Sequence, residues 1–344
     1  MVVFLSRRRK RNKVSSVKTL LFVFFFLLML AGIGMIILHF LQSTKSKVED
    51  VPSDSFDNDN MILNTLLVGS DSLSKNERGR SDSMILITID AHHHKIKVTS
   101  LMRDLWVPIP QHGHSKLNAA YSYGGIDLLK SVIKSVLGVK VDRYVIVNFE
   151  KFKQVIDKLG GIDLELSKKE VAYVNANVSG EHLEGSGKMH LNGEQALQFA
   201  RDRNDPSADF KRTERQRDVI SAIINRVKSI GAVKIIPIIA EIIDMVETDF
   251  VGSRIISLAD RYKKFADYSI VTNRVPEKAE CKNINNQSVL VADLDDCKES
   301  LLKIIYEDFY VPKNNIKISC DFRNNSKSMV ENSKNGKNYV KNSR

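Results

Sequence analysis

The chain is poor in cysteine. Cys281, Cys297 and Cys320 are the only three in 344 residues, which excludes a small scaffold stapled by disulfides. A Cys281–Cys297 pair would leave one thiol over, and unpaired thiols are an equal alternative. The chain also lacks a glycine-rich phosphate loop ending in Gly-Lys-Ser/Thr and a Gly-x-Ser-x-Gly nucleophile elbow. Neither a nucleotide hydrolase of the first type nor a serine hydrolase of the second is indicated. No internal repeat is present, so a solenoid is not expected. A basic domain is missing too, despite the net charge of +11. Residues 1–18 carry 7 Lys/Arg and no acid, and residues 321–344 carry 6 Lys/Arg against 2 Asp/Glu. The rest holds 39 basic and 39 acidic residues. The excess lies at the two ends, and a duplex-binding domain is not indicated.

One long run lacks charge. From Leu20 to Leu41 the sequence LLFVFFFLLMLAGIGMIILHFL has no Asp, Glu, Lys or Arg. That length crosses a bilayer as a helix. The preceding RRRKRNK is expected to hold residues 1–19 in the cytoplasm. The run exceeds the h-region of a signal peptide and no small-x-small cleavage site follows, so an uncleaved single-pass anchor is expected. Residues 42–60 are polar and read as a flexible spacer, and the Asn/Lys-rich segment 321–344 as a disordered tail. Ordered structure is expected over 61–320, outside the cell membrane.

Within it, strands and helices alternate. MILNTLLVG, SMILITID and KIKVTSL read as strands, the last two joined through AHHHK. GGIDLLKSVIKSVLG and EKFKQVIDKLGG have helical apolar spacing with glycine stops, and Asn192 caps NGEQALQFARD. RYVIVNF and IDLEL are further strands. A long helix is expected from Thr213 to Ile230, then helices in KIIPIIAEIIDMVE, SRIISLADRYKKF and DDCKESLLKIIYEDF. The pattern predicts a mixed α/β layered domain.

The stretch RDRNDPSADFKRTERQR, residues 201–217, concentrates five arginines. On a helical wheel Val219, Ile220, Ile223, Ile224, Val227 and Ile230 form one stripe. Gln216 falls near its middle and Arg212 within it, while Arg215 and Arg217 flank it. A buried guanidinium needs an anionic partner. A carboxylate such as Asp205, Asp209 or Asp218 is one candidate. A phosphate is the other, since the guanidinium fork donates two hydrogen bonds to it and a helix N-terminus favours anions. Asp71, Asp82, Arg78, Arg80, Arg103 and Asp104 collect at strand ends, where α/β sheets commonly place ligands. Two carboxylates beside arginines suit Mg²⁺ with a phosphate, and turn capping is the plainer account. The histidines at 92–94 and 112–114 read as solvated turns rather than a zinc site.

In order, LLVGSDS, GRSDSMILITID, SLMRDLWVPIP, KLNAAYSYGG, YVIVNFEKFKQVIDKLGGIDLEL, LNGEQALQFARDR and DFKRTERQ resemble the LytR-CpsA-Psr family of membrane-anchored cell-envelope phosphotransferases. The likeness covers residues 61–230. Ala208 and Lys211 depart from it where glycines are common. The resemblance implies a mixed-sheet α/β/α sandwich behind one N-terminal transmembrane helix. It also implies transfer of a teichoic acid, capsule or related glycopolymer from a polyprenyl-pyrophosphate carrier to peptidoglycan. Asp71 and Asp82 match the Mg²⁺ ligands. Arg80, Arg103, Arg201, Arg203, Arg212 and Gln216 match the pyrophosphate-binding residues, with Asp82, Arg103 and Arg212 catalytic. A non-catalytic polyprenyl-phosphate-binding module and a membrane-bound transcription attenuator are the competing readings. The expected topology places the domain away from nucleic acid.

Overall fold

The structure, a computed structural model, describes residues 62–70, 79, 81–204, 208–250, 265–310 and 317–319. The expected anchor, spacer and C-terminal tail lie outside these residues, as do Asp71, Arg80 and most of the SRIISLADRYKKF helix. Among the described residues no helix is long and apolar enough to cross a membrane.

In chain order the elements are β1 (Ile62–Ser70), β2 (Ser81–Asp90), β3 (Lys95–Leu101), β4 (Trp106–Ile109), β5 (Gly113–Lys116), α1 (Leu117–Leu137), β6 (Arg143–Asn148), α2 (Phe149–Lys158), β7 (Ile162–Leu166) and α3 (Lys168–Asn177). They continue with β8 (Gly187–Leu191), α4 (Gly193–Arg201), α5 (Ala208–Ile230), α6 (Ala232–Met245), β9 (Glu247–Thr248), β10 (Ser269–Val275), β11 (Lys278–Ile284), β12 (Gln287–Val291), α7 (Leu294–Tyr306) and β13 (Lys317–Ser319). The main sheet has six strands in the order β10-β3-β2-β1-β6-β9. It is mixed: β1 runs antiparallel to β2 and parallel to β6, and β10 runs parallel to β3.

Strand alternation sends side chains to opposite faces. Leu66, Val68, Met84 and Leu86 pack on one face against Leu129 and Ile133 of α1 and Leu301 and Ile305 of α7. Ile85, Ile96 and Val98 point the other way, against Ile220 of α5. The register pairs Leu66 with Leu86 and Val68 with Met84, so each face stays apolar across the strands. Helices thus cover both faces of a mixed sheet, as expected. A third cluster joins α2, α3, α4 and the β7–β8 hairpin to the flank of α5 through Val219 and Ala222.

Local chemistry accounts for the helix starts. Asn148 accepts from the Lys151 N–H, and Ser167/Glu170 and Asn192/Gln195 form capping boxes that satisfy first-turn donors. At Gly193 a Cβ would lie 2.2 Å from the Lys153 carbonyl oxygen, so only glycine lets α4 approach α2.

Several expectations are corrected. The helix expected from Thr213 begins at Ala208, with Asp209 in its first turn where the dipole favours an acid. The helix expected from Gly124 begins at Leu117 and breaks at Gly124–Gly125, whose backbone is not helical. The histidines at 112–114, expected in a turn, belong to a hairpin of residues 106–116 with His114 paired in β5. The Cys281–Cys297 pair does not form: Cys281 is in a disulfide and Cys297 is free and buried. Burial, then the nearby Asp293, Asp296 and Glu277, push the Cys297 thiol up to about 12.

Candidate active site

Arg103 follows β3 and reaches back over the start of β2. Its Nη1 donates to Asp82 Oδ1 at 2.8 Å and its Nε to Asp104 Oδ2 at 3.2 Å. Its Nη2 stands 3.5 Å from Asp209 Oδ1. Asp104 also accepts from Lys116 Nζ at 2.7 Å. Burial opposes the Arg103 charge, but the fields of Asp104, Asp209 and Asp82 outweigh it and raise its pKa.

Arg212, on the first turns of α5, is 4% exposed. Its contacts are long: Nη1 is 3.6 Å from Asp209 Oδ1, and Nη2 is 3.5 Å from the Asp82 carbonyl oxygen. Arg212 Nε and Asp209 Oδ1 are both buried without a hydrogen-bond partner. A guanidinium so buried and so loosely held has donors to spare for an added anion.

One turn along α5, Gln216 accepts from Ser83 Oγ at 3.0 Å and lines a pocket. Leu67, Ile85, Phe149, Phe152, Leu197, Ala200, Val219 and Ile220 give that pocket apolar walls. Its volume is about 80 Å³. Ser83, Asn148, Arg201 and Gln216 supply its polar groups. Arg201, the last residue of α4, sits over the Phe149 ring at 5.1 Å. Arg203 is exposed beyond it. The structure therefore brings Asp82, Arg103 and Arg212 into one cluster and puts Gln216 and Arg201 on the adjoining pocket.

Two further arginines near the start of α5 differ from Arg212. Arg215 donates to Glu170 Oε1 at 3.0 Å and to the Asp202 carbonyl at 3.0 Å, and its Nη2 lies 3.2 Å from Asp202 Oδ2. It is a packed ion pair. Arg217 donates to Ser100 Oγ at 2.9 Å, and burial together with the charge of Arg274 lowers its pKa to about 10. Sequence reading missed Glu170, Asp202 and Arg274. The signal for Arg274 was an arginine inside the β-rich run SIVTNRV. No grouping of three or more His, Cys, Asp or Glu side chains suited to a metal occurs among the described residues.

Fold and site together define a class. It is a layered α/β domain in which one long helix carries arginine and glutamine between an apolar pocket and an arginine–aspartate cluster. Such a site suits a ligand that is anionic at one end and apolar at the other. The LytR_cpsA_psr family pattern matches residues 36–303, and the chain belongs to that family.

Among its relatives is the polyisoprenyl-teichoic acid–peptidoglycan teichoic acid transferase TagV of Bacillus subtilis, 35% identical over 207 residues, which are 59% of this chain and 53% of that protein. The TagU enzyme of Bacillus mycoides is 37% identical over 166 residues, 48% of this chain and 52% of that one. The chain thus spans about half the length of the curated relatives it matches. The crystal structure of B. subtilis TagV superposes with a TM-score of 0.59 at 28% identity, over 74% of this chain and 99% of that one.

Proposed function

We propose that the protein transfers a cell-wall glycopolymer from a polyprenyl-pyrophosphate carrier to peptidoglycan. The observation that carries this reading is the placement of Arg212 and Gln216 on α5, between the apolar pocket and the Arg103–Asp82–Asp209 cluster. The names of the TagU and TagV relatives support it. A solved TagT of the same family holds an octaprenyl pyrophosphate lipid, a ligand of the expected shape.

In this reading the polyprenyl chain lies along Leu67, Ile85, Val219 and Ile220. The pyrophosphate accepts hydrogen bonds from Arg103 and Arg212, with Arg201 and Arg203 beside it and Arg80 added from the sequence match. A hydroxyl oxygen of the peptidoglycan sugar attacks the phosphorus bearing the polymer. A new P–O bond forms, the bond to the bridging oxygen breaks, and polyprenyl phosphate leaves with the electron pair. Arginines fixed before the reaction stabilise that charge without reorganisation. Asp209, whose buried Oδ1 faces Arg103 and Arg212 at 3.5 and 3.6 Å without a hydrogen bond, is the carboxylate that takes the hydroxyl proton in this reading.

Mg²⁺ fits the donor set. Asp82 and Asp209 present hard oxygen ligands around one guanidinium, and magnesium needs only one or two carboxylates besides waters and phosphate oxygens. Asp82 would hold it, with Asp71 as the sequence-matched second ligand. When bound, the ion would neutralise charge on the phosphate oxygens.

The apolar run 20–41 would anchor the chain, with the N-terminus cytoplasmic and the domain outside. A disulfide at Cys281 suits that oxidising side. A cysteine placed in residues 42–60 should react with a membrane-impermeant thiol reagent on intact cells. Labelling only after lysis would reverse the topology.

The activity is tested with the full chain in detergent, a polyprenyl-pyrophosphate-linked glycopolymer and peptidoglycan oligomers. Covalent product is expected from the wild type and lost in Arg212→Ala. Tight lipid binding with no product would leave a carrier-binding module instead.

A further inference from the structure

We propose that the outward face of the β4–β5 hairpin, continued by Tyr123, is a saccharide-stacking ridge leading away from the Arg103 cluster. The proposal rests on the transferase reading and adds to it where the sugar rings lie.

The hairpin is two-faced. Leu105, Val107 and Ile109 are buried in the main core. The register pairs Trp106 with Lys116 and Pro108 with His114, which puts these four on the opposite face. Pro108 and His114 are exposed there, and Trp106 and Lys116 are half-buried. Trp106 is the only tryptophan of the chain. Tryptophan is among the more buried residue types on average, and here it lies on the solvent side of a ribbon.

The rings are arranged, not scattered. Trp106 and His114 stack at 6.4 Å between centroids and 26° between planes. His112 and Tyr123 stack more closely, at 4.3 Å and 16°. Tyr123 is 47% exposed. The turn that positions His112 is strained. Gln111 adopts φ 65°, a left-handed conformation unfavourable for a residue with a Cβ, and the His112 N–H donates to the Ile109 carbonyl at 3.0 Å. Tyr123 stands at the end of the first segment of α1, just before the Gly124–Gly125 break.

The ridge is joined to the charged cluster. Lys116, next to Trp106 on the same face, donates to Asp104, which Arg103 also holds. The Asn118 N–H donates to the Arg103 carbonyl at 3.1 Å. A chain of sugars reaching the cluster would pass over Lys116, then Trp106 and His114.

Pyranose rings are the chemistry that fits. One face of such a ring is made of C–H groups, which favour the negative face of an aromatic ring. The hydroxyls around its edge accept from a lysine or imidazole. Stacked nucleobases would need a basic track for phosphates, and outside its two ends the chain has equal numbers of acidic and basic residues.

Trp106 is its own reporter. The full chain in detergent is titrated with a peptidoglycan tetrasaccharide in one arm and a polyprenyl-pyrophosphate-linked disaccharide in the other, and tryptophan emission is followed. A saturable shift is expected, and the arm that produces it assigns the ridge to acceptor or donor. Tyr123→Ala and His112→Ala should weaken that sugar about fivefold and raise its KM, while pyrophosphate affinity stays unchanged. Emission unmoved in both arms overturns the ridge. So does an unchanged KM for both substrates in Tyr123→Ala, or loss of self-association in that variant with silent emission, which would make the patch a protein contact. Wild-type protein that shifts its emission but forms no product would instead sink the transferase reading and leave the ridge standing.

Discussion

Arg103 holds Asp82 at 2.8 Å while the second nitrogen of its fork faces Asp209 at 3.5 Å. One cation therefore keeps carboxylates from β2 and from the start of α5 together. An incoming pyrophosphate competes with those carboxylates for the same donors. Asp82→Ala is expected to abolish transfer while thermal unfolding stays cooperative, and a chelator should do the same to the wild type. Full activity of Asp82→Ala with unchanged magnesium dependence would remove this carboxylate from the mechanism.

Arg212 and Arg215 should respond differently to replacement. Arg215→Met strands Asp202 and Glu170 and should cost about 3–5 kcal/mol. Arg212→Met gives up only contacts of 3.5 Å and longer and removes a loosely paired buried charge, so it should cost clearly less than Arg215→Met in lipid-free protein. Its affinity for polyprenyl pyrophosphate should fall strongly. Denaturant unfolding of the two variants decides, and equal losses would make Arg212 a structural residue.

The pocket can be filled from within. Ala200 is nearly buried on α4 and lines it. Ala200→Leu should lower affinity for polyprenyl pyrophosphate at least about tenfold, with a packing cost of about 1–3 kcal/mol, and leave inorganic pyrophosphate binding as it was. Equal weakening of both ligands would mean the lipid does not occupy this space.

Acid sensitivity should trace in part to Asp90. Its carboxyl is buried, which alone would raise its pKa, but hydrogen bonds from Lys97 and His93 outweigh this and hold it below its ordinary value. A depressed carboxylate contributes stability that is fully present above the unfolded pKa of about 3.9 and lost as pH falls through the folded value. Lys97 is fully buried and donates to Asp90 at 2.6 Å. Asp90→Asn should therefore destabilise the protein at pH 7, and the gap from wild type should shrink below about pH 4. A gap constant with pH would show that the charge of Asp90 does not matter.

The sequence made the buried face of α5 legible because helical periodicity is local. Six aliphatic residues defined the stripe, and Arg212 and Gln216 fell on it, where the structure has Arg212 4% exposed and Gln216 against the pocket. The partners of Arg215 and Arg217 were not legible. Glu170 is 45 positions away and Ser100 is 117, and no local pattern brings them near. The hairpin of residues 106–116 was not legible, because its two prolines and a glycine are turn signals that mask strand alternation. Proline is tolerated there because a two-stranded ribbon leaves half its backbone donors unpaired.

The long helix α5 also sets a scale. Arg212 and Ile220 are both fixed on it, and at about 1.5 Å per residue their rise along its axis is about 12 Å. Neither end can shift without the other, so the helix works as a caliper. In the proposed complex it measures how soon after its charged head a lipid becomes hydrocarbon. A carrier whose isoprenoid units begin directly at the phosphate matches the jaws. One with a polar spacer of a few ångströms would seat its head or its chain, but not both.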